Sequence, residues 1–485
     1  MRTSTLSLAR NYFVRAFRKK FQGTHLNRWL STQPRSWSTP LAKQIFEAIS
    51  TTGPITLAAF MRLCMTSEHG GYYMSSKNGC DQFGTKGDFI TSPEISQIFG
   101  ELVGIWFVAE WMAQGKDPKK GIEIVEVGPG RGTLMDDILR TLRSFTHMSS
   151  KIEAIYLIET SPSLREIQKN LLCGDKLMEK TSIGYRCISK YMDLPVIWTE
   201  NIRFLPQGKQ YSQDLSSFIV AHEFFDALPI HAFQSVESTE DVSSIPTGDH
   251  SLKTQTFGNR RIMGSHWREL VVSPIRTPLQ NSPEFQLALS KTKTPHSLYL
   301  PEISPRYQTL KRSTGSLIEI SPESRVYAHE FARRIGGTQS EPRSDPSGAA
   351  IILDYGPSET IPVNSLRGIR EHKFVSPFSS PGLVDLSADV DFVALAEAAL
   401  MASPGVEVHG PVEQSSFLLT MGIKERAEML LKNVINDEEK RKRVEGSWKR
   451  LVDRGVSGIG KVYKAMAIVP RNDGKRKPVG FGGDL

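Results

Sequence analysis

The sequence predicts an α/β protein in which helices cover both faces of a doubly wound sheet. Short apolar segments with the length of strands alternate with segments of helical spacing, which is the pattern of such a sheet. Each predicted strand ends at or beside an acidic residue, and ligands bind at the carboxyl ends of the strands in this architecture. The clearest predicted strands cover residues 122–127, 152–158, 218–221 and 349–355.

The first predicted strand runs directly into a glycine turn, and helical spacing follows from Thr133. Gly128, Gly130 and Gly132 allow the backbone to turn sharply and to approach a ligand closely. Their spacing differs from the G-x-G-x-x-G of dinucleotide sites, and the lysine of a P-loop is missing. Glu126 would repel a pyrophosphate but suits the cationic methionine portion of S-adenosylmethionine. A purely structural turn is the alternative interpretation.

The second predicted strand ends in Glu159, which lies 33 residues after Glu126. A carboxylate at this position could accept hydrogen bonds from both ribose hydroxyls of a nucleoside. Two acids at the ends of consecutive strands favour a cofactor site over a solvated surface. A helix starting at Ser161 and a third strand over 196–205 are predicted to follow.

A further predicted strand is followed by H-E-F-F-D-A-L-P over residues 222–229. Its position at the carboxyl end of the sheet puts Glu223 and Asp226 beside the methyl donor. In the alternative interpretation, Glu223 caps a turn and the two phenylalanines belong to the core.

The N-terminal segment has the composition of a mitochondrial transit peptide. Residues 1–46 contain nine Lys or Arg and no Asp or Glu, interleaved with Ser, Thr and aromatic residues. Without these nine, 51 basic residues oppose 52 acidic ones, so the mature chain is nearly neutral and has no nucleic-acid footprint. A basic arm that is never cleaved is the alternative. The expected compartment is the mitochondrial matrix.

Composition excludes several other classes of protein. No run of apolar residues reaches the ~18 needed to span a membrane. The four cysteines have no C-x-x-C spacing and the histidines are not clustered in sequence, so no metal site is predicted. The oligomeric state is left open by the sequence.

The segment before the glycine turn predicts two helices within 41–66 and then a polar, aromatic loop. Asp88, Thr91 and Ser92 are predicted cofactor contacts on a loop that could close over the site as a lid. Ser92 is also the predicted N-cap of the helix that follows it, with Pro93 in the first turn.

The predicted domain boundaries follow from these segments. A flexible surface insertion is expected over 234–265, short strands at 267–272, 297–300 and 315–320, and a second flexible loop over 336–348. The segments are a transit peptide (1–37), a helical region with the cofactor lid (38–115), a core in two parts (116–232 and 346–470), an inserted substrate region (233–345) and a disordered tail (471–485).

Five stretches taken together resemble the MidA-like family of mitochondrial complex I assembly factors. They are G-D-F-I-T-S-P-E-I-S-Q-I-F-G-E-L (87–102), E-V-G-P-G-R-G-T-L (126–134), H-E-F-F-D-A-L-P (222–229), D-Y-G (354–356) and S-A-D-V-D-F (387–392). The resemblance implies a class I S-adenosylmethionine-dependent methyltransferase with a Rossmann-like sheet. It further implies a type II enzyme that symmetrically dimethylates an arginine of the 49-kDa-type core subunit of complex I.

The residues are compatible with this chemistry. Arginine is always cationic, so its methylation needs carboxylates that hold the guanidinium and direct one nitrogen at the methyl group. Glu223 and Asp226 are the predicted catalytic pair. Two alternatives remain open: an assembly scaffold that binds the cofactor without needing catalysis, and a methyltransferase acting on RNA or a small molecule. The neutral mature charge counts against RNA.

Overall fold

The computed structural model describes residues 36–74, 90–115, 120–206, 215–240, 261–275, 282–432 and 437–482. The chain divides into two compact units, Met1–Trp37 and Ser38–Leu485. Nearly all of the first unit, with the predicted transit peptide, lies outside the described residues, so the architecture below is that of the second unit. Over the described ranges, no helix is both long and apolar enough to cross a membrane.

A mixed sheet, which has nine strands in the described part of the chain, organises the second unit. In spatial order these are β16 (Val406–Glu413), β17 (Tyr463–Pro470), β12 (Gly348–Tyr355), β7 (Leu215–His222), β2 (Gly121–Val127), β3 (Ile152–Ile158), β6 (Pro195–Thr199), β5 (Tyr185–Ile188) and β4 (Glu179–Lys180). The strands from β12 to β6 are parallel, and antiparallel strands flank them on both sides. The chain order reverses at β2, between β3 and β7, so the ligand-binding switch point of a doubly wound sheet lies there.

Helices cover both faces of this sheet, and each face has its own apolar core. Several helices begin with a Ser or Thr cap followed directly by proline, a start signal that supplies an acceptor to the first free N–H groups. The helices are α1 (Pro40–Thr52), α2 (Leu57–Thr66), α3 (Ser92–Ile95), α4 (Gln97–Ala113), α5 (Thr133–Leu142), α6 (Thr146–Ser149), α7 (Pro162–Cys173), α8 (Pro295–Tyr299), α9 (Pro305–Lys311), α10 (Pro322–Gly336), α11 (Phe392–Ala402), α12 (Gln414–Thr420), α13 (Ile423–Lys432) and α14 (Glu438–Val452).

The inserted region forms a second, antiparallel sheet, and a small third sheet lies later in the chain. The second sheet has its own apolar cluster, which includes Phe233, Trp267 and Tyr307. Its strands are β1 (Ile55–Thr56), β9 (Arg261–Pro274), β8 (His231–Glu240) and β11 (Leu317–Ile320), with β10 (Phe285–Leu289) paired to β9; the third sheet has β14 (Lys373–Val375), β13 (Arg367–Arg370) and β15 (Asp385–Ser387).

The prediction of a flexible insertion over 234–265 is wrong at both of its ends. Residues up to Glu240 belong to β8 and residues from Arg261 belong to β9, and these two strands pair antiparallel out to Glu240 and Arg261. The backbone hydrogen bonds of this ribbon do not depend on apolar side chains, so the polar composition concealed it. Within the predicted insertion, residues 241–260 are the part that lies outside the described residues.

Three predicted elements differ in the structure. The segment 297–300, predicted as a strand, is helical: α8 runs to Tyr299 and a 3-10 turn begins at Leu300, because Thr294 and Pro295 provide a helix start that outweighs local strand propensity. The predicted strand over 196–205 ends at Thr199 and is followed by a 3-10 turn. The N-cap of α3 is Thr91 instead of Ser92, and the helix breaks at Ser96 before α4 begins.

Two segments predicted to be flexible are anchored by buried contacts. In the predicted tail, the Trp106 indole donates to Val479 O at 3.1 Å, and Arg476 forms a bidentate ion pair with buried Glu110. In the predicted loop over 336–348, buried Arg343 donates to the carbonyls of Arg334 and Leu215 at 2.6 and 2.7 Å. Polar side chains with distant partners hold both segments, which composition alone does not reveal.

Candidate active site

A cavity of about 1140 Å³ opens at the carboxyl ends of the parallel strands. Single-ligand pockets usually measure ~300–1,000 Å³, so this one has room for a cofactor and an incoming side chain. Seven predicted site residues line its wall: Thr91, Glu126, Gly128, Gly130, Glu159, Glu223 and Asp226.

The glycine turn after β2 has the geometry that the sequence predicts. Gly128, Gly130 and Gly132 have φ values of 65°, 52° and 85°, a region that side chains strongly disfavour. A Cβ on Gly128 would lie 2.6 Å from the ring of Phe224, so the turn has no room for one. Gly132, by contrast, does not line the cavity within the described wall; it caps α5 and faces Gln168.

Glu126 is a buried acid with an unmet hydrogen-bonding requirement. Its side chain faces the cavity, yet Oε2 has no hydrogen-bond partner among the described residues. Burial, reinforced by the nearby Glu159, raises the pKa of Glu126 to about 8. A buried acceptor without a partner is rare in folded proteins and indicates a ligand that donates to it.

Glu159 lies beside it and is held by neutral donors. One oxygen accepts from the Ser161 N–H at 2.7 Å and the other from Gln168 Nε2 at 3.0 Å. Burial raises the pKa of Glu159 to about 7, although these hydrogen bonds partly offset the shift. The carboxylate retains lone pairs for a further donor on the cavity side.

Gln168 is a site residue that sequence reasoning missed. Its amide nitrogen donates to both Glu159 and the carbonyl of Gly130, the latter at 2.6 Å, and its oxygen accepts from Trp198 Nε1 at 2.9 Å. One buried amide thus connects the glycine turn, the acid after β3 and the core. In the sequence, the role of Gln168 is indicated only by its place on the inward face of α7.

The predicted lid residues have three different positions. Asp88 lies outside the described residues. Thr91 lines the cavity and forms a capping box with Glu94. Ser92 is fully buried and does not belong to the described lining of the cavity. Its backbone N–H donates to Glu223 Oε1 at 3.4 Å.

Glu223 follows β7 and has a left-handed backbone, with φ at 48°. Such a conformation in a residue other than glycine costs about 1–3 kcal/mol and persists only where surrounding contacts enforce it. Here the Glu223 N–H donates to Leu353 O at 3.0 Å, and the hydroxyl of Tyr463 hydrogen bonds to the carboxylate. His222 Nε2 lies 3.2 Å from Glu223 Oε1. The strained backbone therefore turns this acid into the cavity.

Asp226 lies one turn further on and is held by Tyr355, whose hydroxyl donates to Oδ2 and also contacts Ser387. The guanidinium of Arg367 covers the Tyr355 ring at 4.6 Å. The other carboxylate oxygen, Asp226 Oδ1, has no partner among the described residues. Burial raises the pKa of Asp226 to about 6.

Asp354, the third acid at a strand end, has a structural role. It is fully buried, and its Oδ2 accepts from the backbone N–H groups of Phe224, Phe225 and Asp226 at 3.1, 2.9 and 3.4 Å. It therefore fixes the turn that carries both predicted catalytic acids. Phe225 is core, as the alternative interpretation held, whereas Phe224 lines the cavity and packs over Gly128.

The charges around the cavity favour a cationic ligand. Three of its arginines face acids: Arg367 donates to Asp389 at 2.7 Å, Arg131 lies 3.9 Å from Glu94, and Arg62 forms an ion pair with Glu323. Glu126 and Asp226 instead have carboxylate oxygens without partners among the described residues. Both oxygens are therefore acceptors that a cationic donor could satisfy.

Comparisons with known proteins agree with this geometry. Residues 102–412 match the family model described as "Putative S-adenosyl-L-methionine-dependent methyltransferase". The mitochondrial protein arginine methyltransferase NDUFAF7 of Mus musculus is 36% identical over 81% of this chain and 76% of its own length. The homologue in Drosophila melanogaster is 32% identical over 91% of this chain and 87% of its own length.

A solved structure from Burkholderia thailandensis, bound to S-adenosyl-homocysteine, has the same fold. It superimposes with a TM-score of 0.60 over 92% of this chain and 94% of its own, at 19% sequence identity. The likeness supports the class I arrangement of the nine-stranded sheet.

Proposed function

The chain belongs to the S-adenosyl-L-methionine-dependent methyltransferase family matched above, and we propose that within it the protein is a mitochondrial protein-arginine methyltransferase. The cofactor, S-adenosyl-L-methionine, supplies a methyl group that its sulfonium has already activated. The observation that carries the proposal is the pair of buried carboxylate oxygens without partners among the described residues, Glu126 Oε2 and Asp226 Oδ1, in residues that line the same cavity. They match two cationic ligands, a methionine portion and a guanidinium.

The residues on the β2 and β3 side fit the cofactor. Glu126 offers its free oxygen to a cationic amino group, and Gly128 leaves the backbone bare where a ligand approaches. Glu159 has acceptor capacity left for hydroxyl donors, as a ribose requires. We call Glu126, the glycine turn and Glu159 the cofactor wall.

The residues after β7 fit an arginine. Glu223 and Asp226, called the substrate wall below, present carboxylates held by Tyr463 and Tyr355. They can orient a guanidinium so that one nitrogen faces the methyl group, and they offset the positive charge of the transition state. Asp226 Oδ1 is available to accept the proton that this nitrogen releases after methylation.

The finer parts of the proposal rest on the family resemblance. We propose that the substrate is an arginine of the 49-kDa-type core subunit of NADH:ubiquinone oxidoreductase, and that two methyl groups are added symmetrically in support of complex I assembly. The reaction would take place in the matrix, after removal of a transit peptide over residues 1–37. The names of the relatives, which include the word mitochondrial, support a mitochondrial location.

Complementation of cells that lack the protein tests the proposal. Cells would receive wild type, Glu223→Gln, Asp226→Asn or Glu200→Gln, the last being a control acid at the cavity outside the substrate wall. Peptide mass spectrometry of the complex I subunits would follow. Wild type and the control should restore dimethyl-arginine, whereas both substrate-wall variants should leave the arginine largely unmodified.

The same cells separate a catalyst from a scaffold. If cells with the Glu223→Gln variant assemble complex I fully while the subunit arginine stays unmethylated, the protein is a cofactor-binding scaffold whose catalysis is dispensable. If wild-type and knockout cells contain the same methylated arginines, the arginine methyltransferase proposal fails.

A further inference from the structure

Outside the cavity, the inserted sheet brings together two histidines and a glutamate that are far apart in sequence. His231 begins β8, Glu269 lies on β9, and His296 lies on α8. His231 Nδ1 lies 2.7 Å from Glu269 Oε1, and His296 Nδ1 lies 3.6 Å from Oε2 of the same carboxylate. The three ligand atoms all fall within 4.8 Å of one another.

The three side chains of the cluster are buried to different extents. The Glu269 side chain has no exposed surface, and the His231 side chain is 9% exposed, while that of His296 is 46% exposed. The two imidazole rings lie 4.3 Å apart between centroids.

We propose that His231, Glu269 and His296 form a binding site for a divalent transition-metal ion of the zinc class. Two imidazoles and one carboxylate are a donor set that zinc prefers, and its bonds to N and O measure ~2.0–2.2 Å. Ligand atoms around such an ion lie roughly 3–4 Å apart, so small rotations of these side chains suffice. The exposed edge of His296 provides the entry path and leaves a coordination position for water.

The second layer of the site is already in place. Thr294 Oγ1 donates to Glu269 Oε2 at 2.5 Å and thereby orients the carboxylate, as outer-shell partners do in known metal sites. Thr294 is also the N-cap of α8, so the helix that carries His296 is anchored to the same carboxylate. A bound ion would join β8, β9 and α8, which are three separate elements of the inserted region.

A simple hydrogen-bonded cluster is the competing explanation, and titration with metal distinguishes the two. Purified full-length protein would be stripped with a chelator and titrated with Zn²⁺ by calorimetry, and with Co²⁺ by visible absorption. The variants are His296→Gln and Glu269→Gln. The control is His409→Gln, because His409 Nε2 lies 2.9 Å from Glu407 Oε1 in a pair that lacks a second histidine in the described chain.

Wild type and the control should bind one equivalent of ion, show the absorption of a cobalt–imidazole site and unfold at higher temperature with Zn²⁺. His296→Gln and Glu269→Gln should lose that equivalent and the thermal shift. If Glu269→Gln fails to fold, His296→Gln decides, because its half-exposed side chain can be replaced without disturbing the core. An absence of ion binding by wild type, or undiminished binding by His296→Gln, would overturn the proposal.

Discussion

The two walls of the cavity are both acidic, but they differ in how far along the sequence the residues that hold each acid lie from it. On the cofactor wall, Glu126 and Glu159 sit at the ends of adjacent strands, and the contacts that hold them come from residues up to Trp198. On the substrate wall, Glu223 and Asp226 are held by Tyr355 and Tyr463, which arrive more than a hundred residues later.

This difference separates two ways of presenting a carboxylate. The cofactor wall relies on burial and backbone geometry: burial raises the pKa of both acids, and one oxygen of Glu126 has no partner in the described structure. The substrate wall relies on tyrosine hydroxyls and a strained backbone at Glu223. Changes to the first wall should therefore affect cofactor affinity, and changes to the second should affect transfer.

The largest expected effect is on the cofactor wall, at the glycine turn. Gly128→Val should abolish cofactor binding, because a side chain there meets Phe224 and requires a φ of 65°. Calorimetry should show micromolar binding by wild type, about −8 kcal/mol, and none by the variant.

Gly174→Val is the matched control for that substitution. Gly174 has a similar φ of 63°, but a Cβ there meets nothing within 4 Å. Equal loss of binding in both variants would mean that backbone strain, and not the shape of the site, explains the effect.

Glu159→Ala should weaken cofactor binding by about 10- to 100-fold, because it removes charged hydrogen bonds worth roughly 1.5–3 kcal/mol each. Glu166→Ala, on the helix α7 that follows Glu159, is the control. An unchanged dissociation constant for Glu159→Ala would show that this acid only caps α7 through its contact with Ser161.

On the substrate wall, Tyr355→Phe should lower the rate of methyl transfer by about tenfold while cofactor affinity stays constant. The change removes one hydrogen bond to Asp226 and leaves the ring under Arg367 in place. Tyr327→Phe serves as control, since Tyr327 lines the same cavity and packs on Phe224. Single-turnover rates and calorimetry together measure the two quantities; a loss of cofactor affinity in Tyr355→Phe would break the distinction between the walls.

The smallest expected effect is the pH dependence of the cofactor wall. Because burial raises the pKa of Glu126 from its ordinary value of 4.5 to about 8, this group's stabilising contribution to the ligand-free fold is complete below pH 4.5 and is lost as the pH rises to about 8. Binding of a cation requires the ionised form, so affinity should rise severalfold over the same range and binding should release protons. Glu126→Gln should flatten the binding profile and raise the unfolding temperature of the ligand-free protein above pH 8. A pH-independent affinity in wild type would contradict the assignment.

The sequence predicted the positions of Glu126, Gly128 and Glu159 at the ends of their strands because the signals for them are local. The strand, the glycine turn and the acids at the strand ends lie within about forty residues, and backbone geometry requires glycine at Gly128. It located the two substrate-wall acids but not the tyrosines that hold them, since nothing near Tyr463 indicates its partner. The contacts of Gln168 and the cluster around His231 were not predicted for the same reason: only the folded chain brings these partners together.

The most direct test of the central claim compares the walls in one assay. Peptides that cover every arginine of the 49-kDa-type subunit would be offered to wild type, Glu126→Gln, Glu223→Gln and Asp226→Asn with methyl-labelled S-adenosyl-L-methionine. We expect the two substrate-wall variants to bind the cofactor normally and to transfer about 10²-fold more slowly at saturation. Glu126→Gln should bind the cofactor more weakly and recover part of its rate at high cofactor concentration. Wild-type transfer rates in both Glu223→Gln and Asp226→Asn would contradict the claim that these acids hold the arginine.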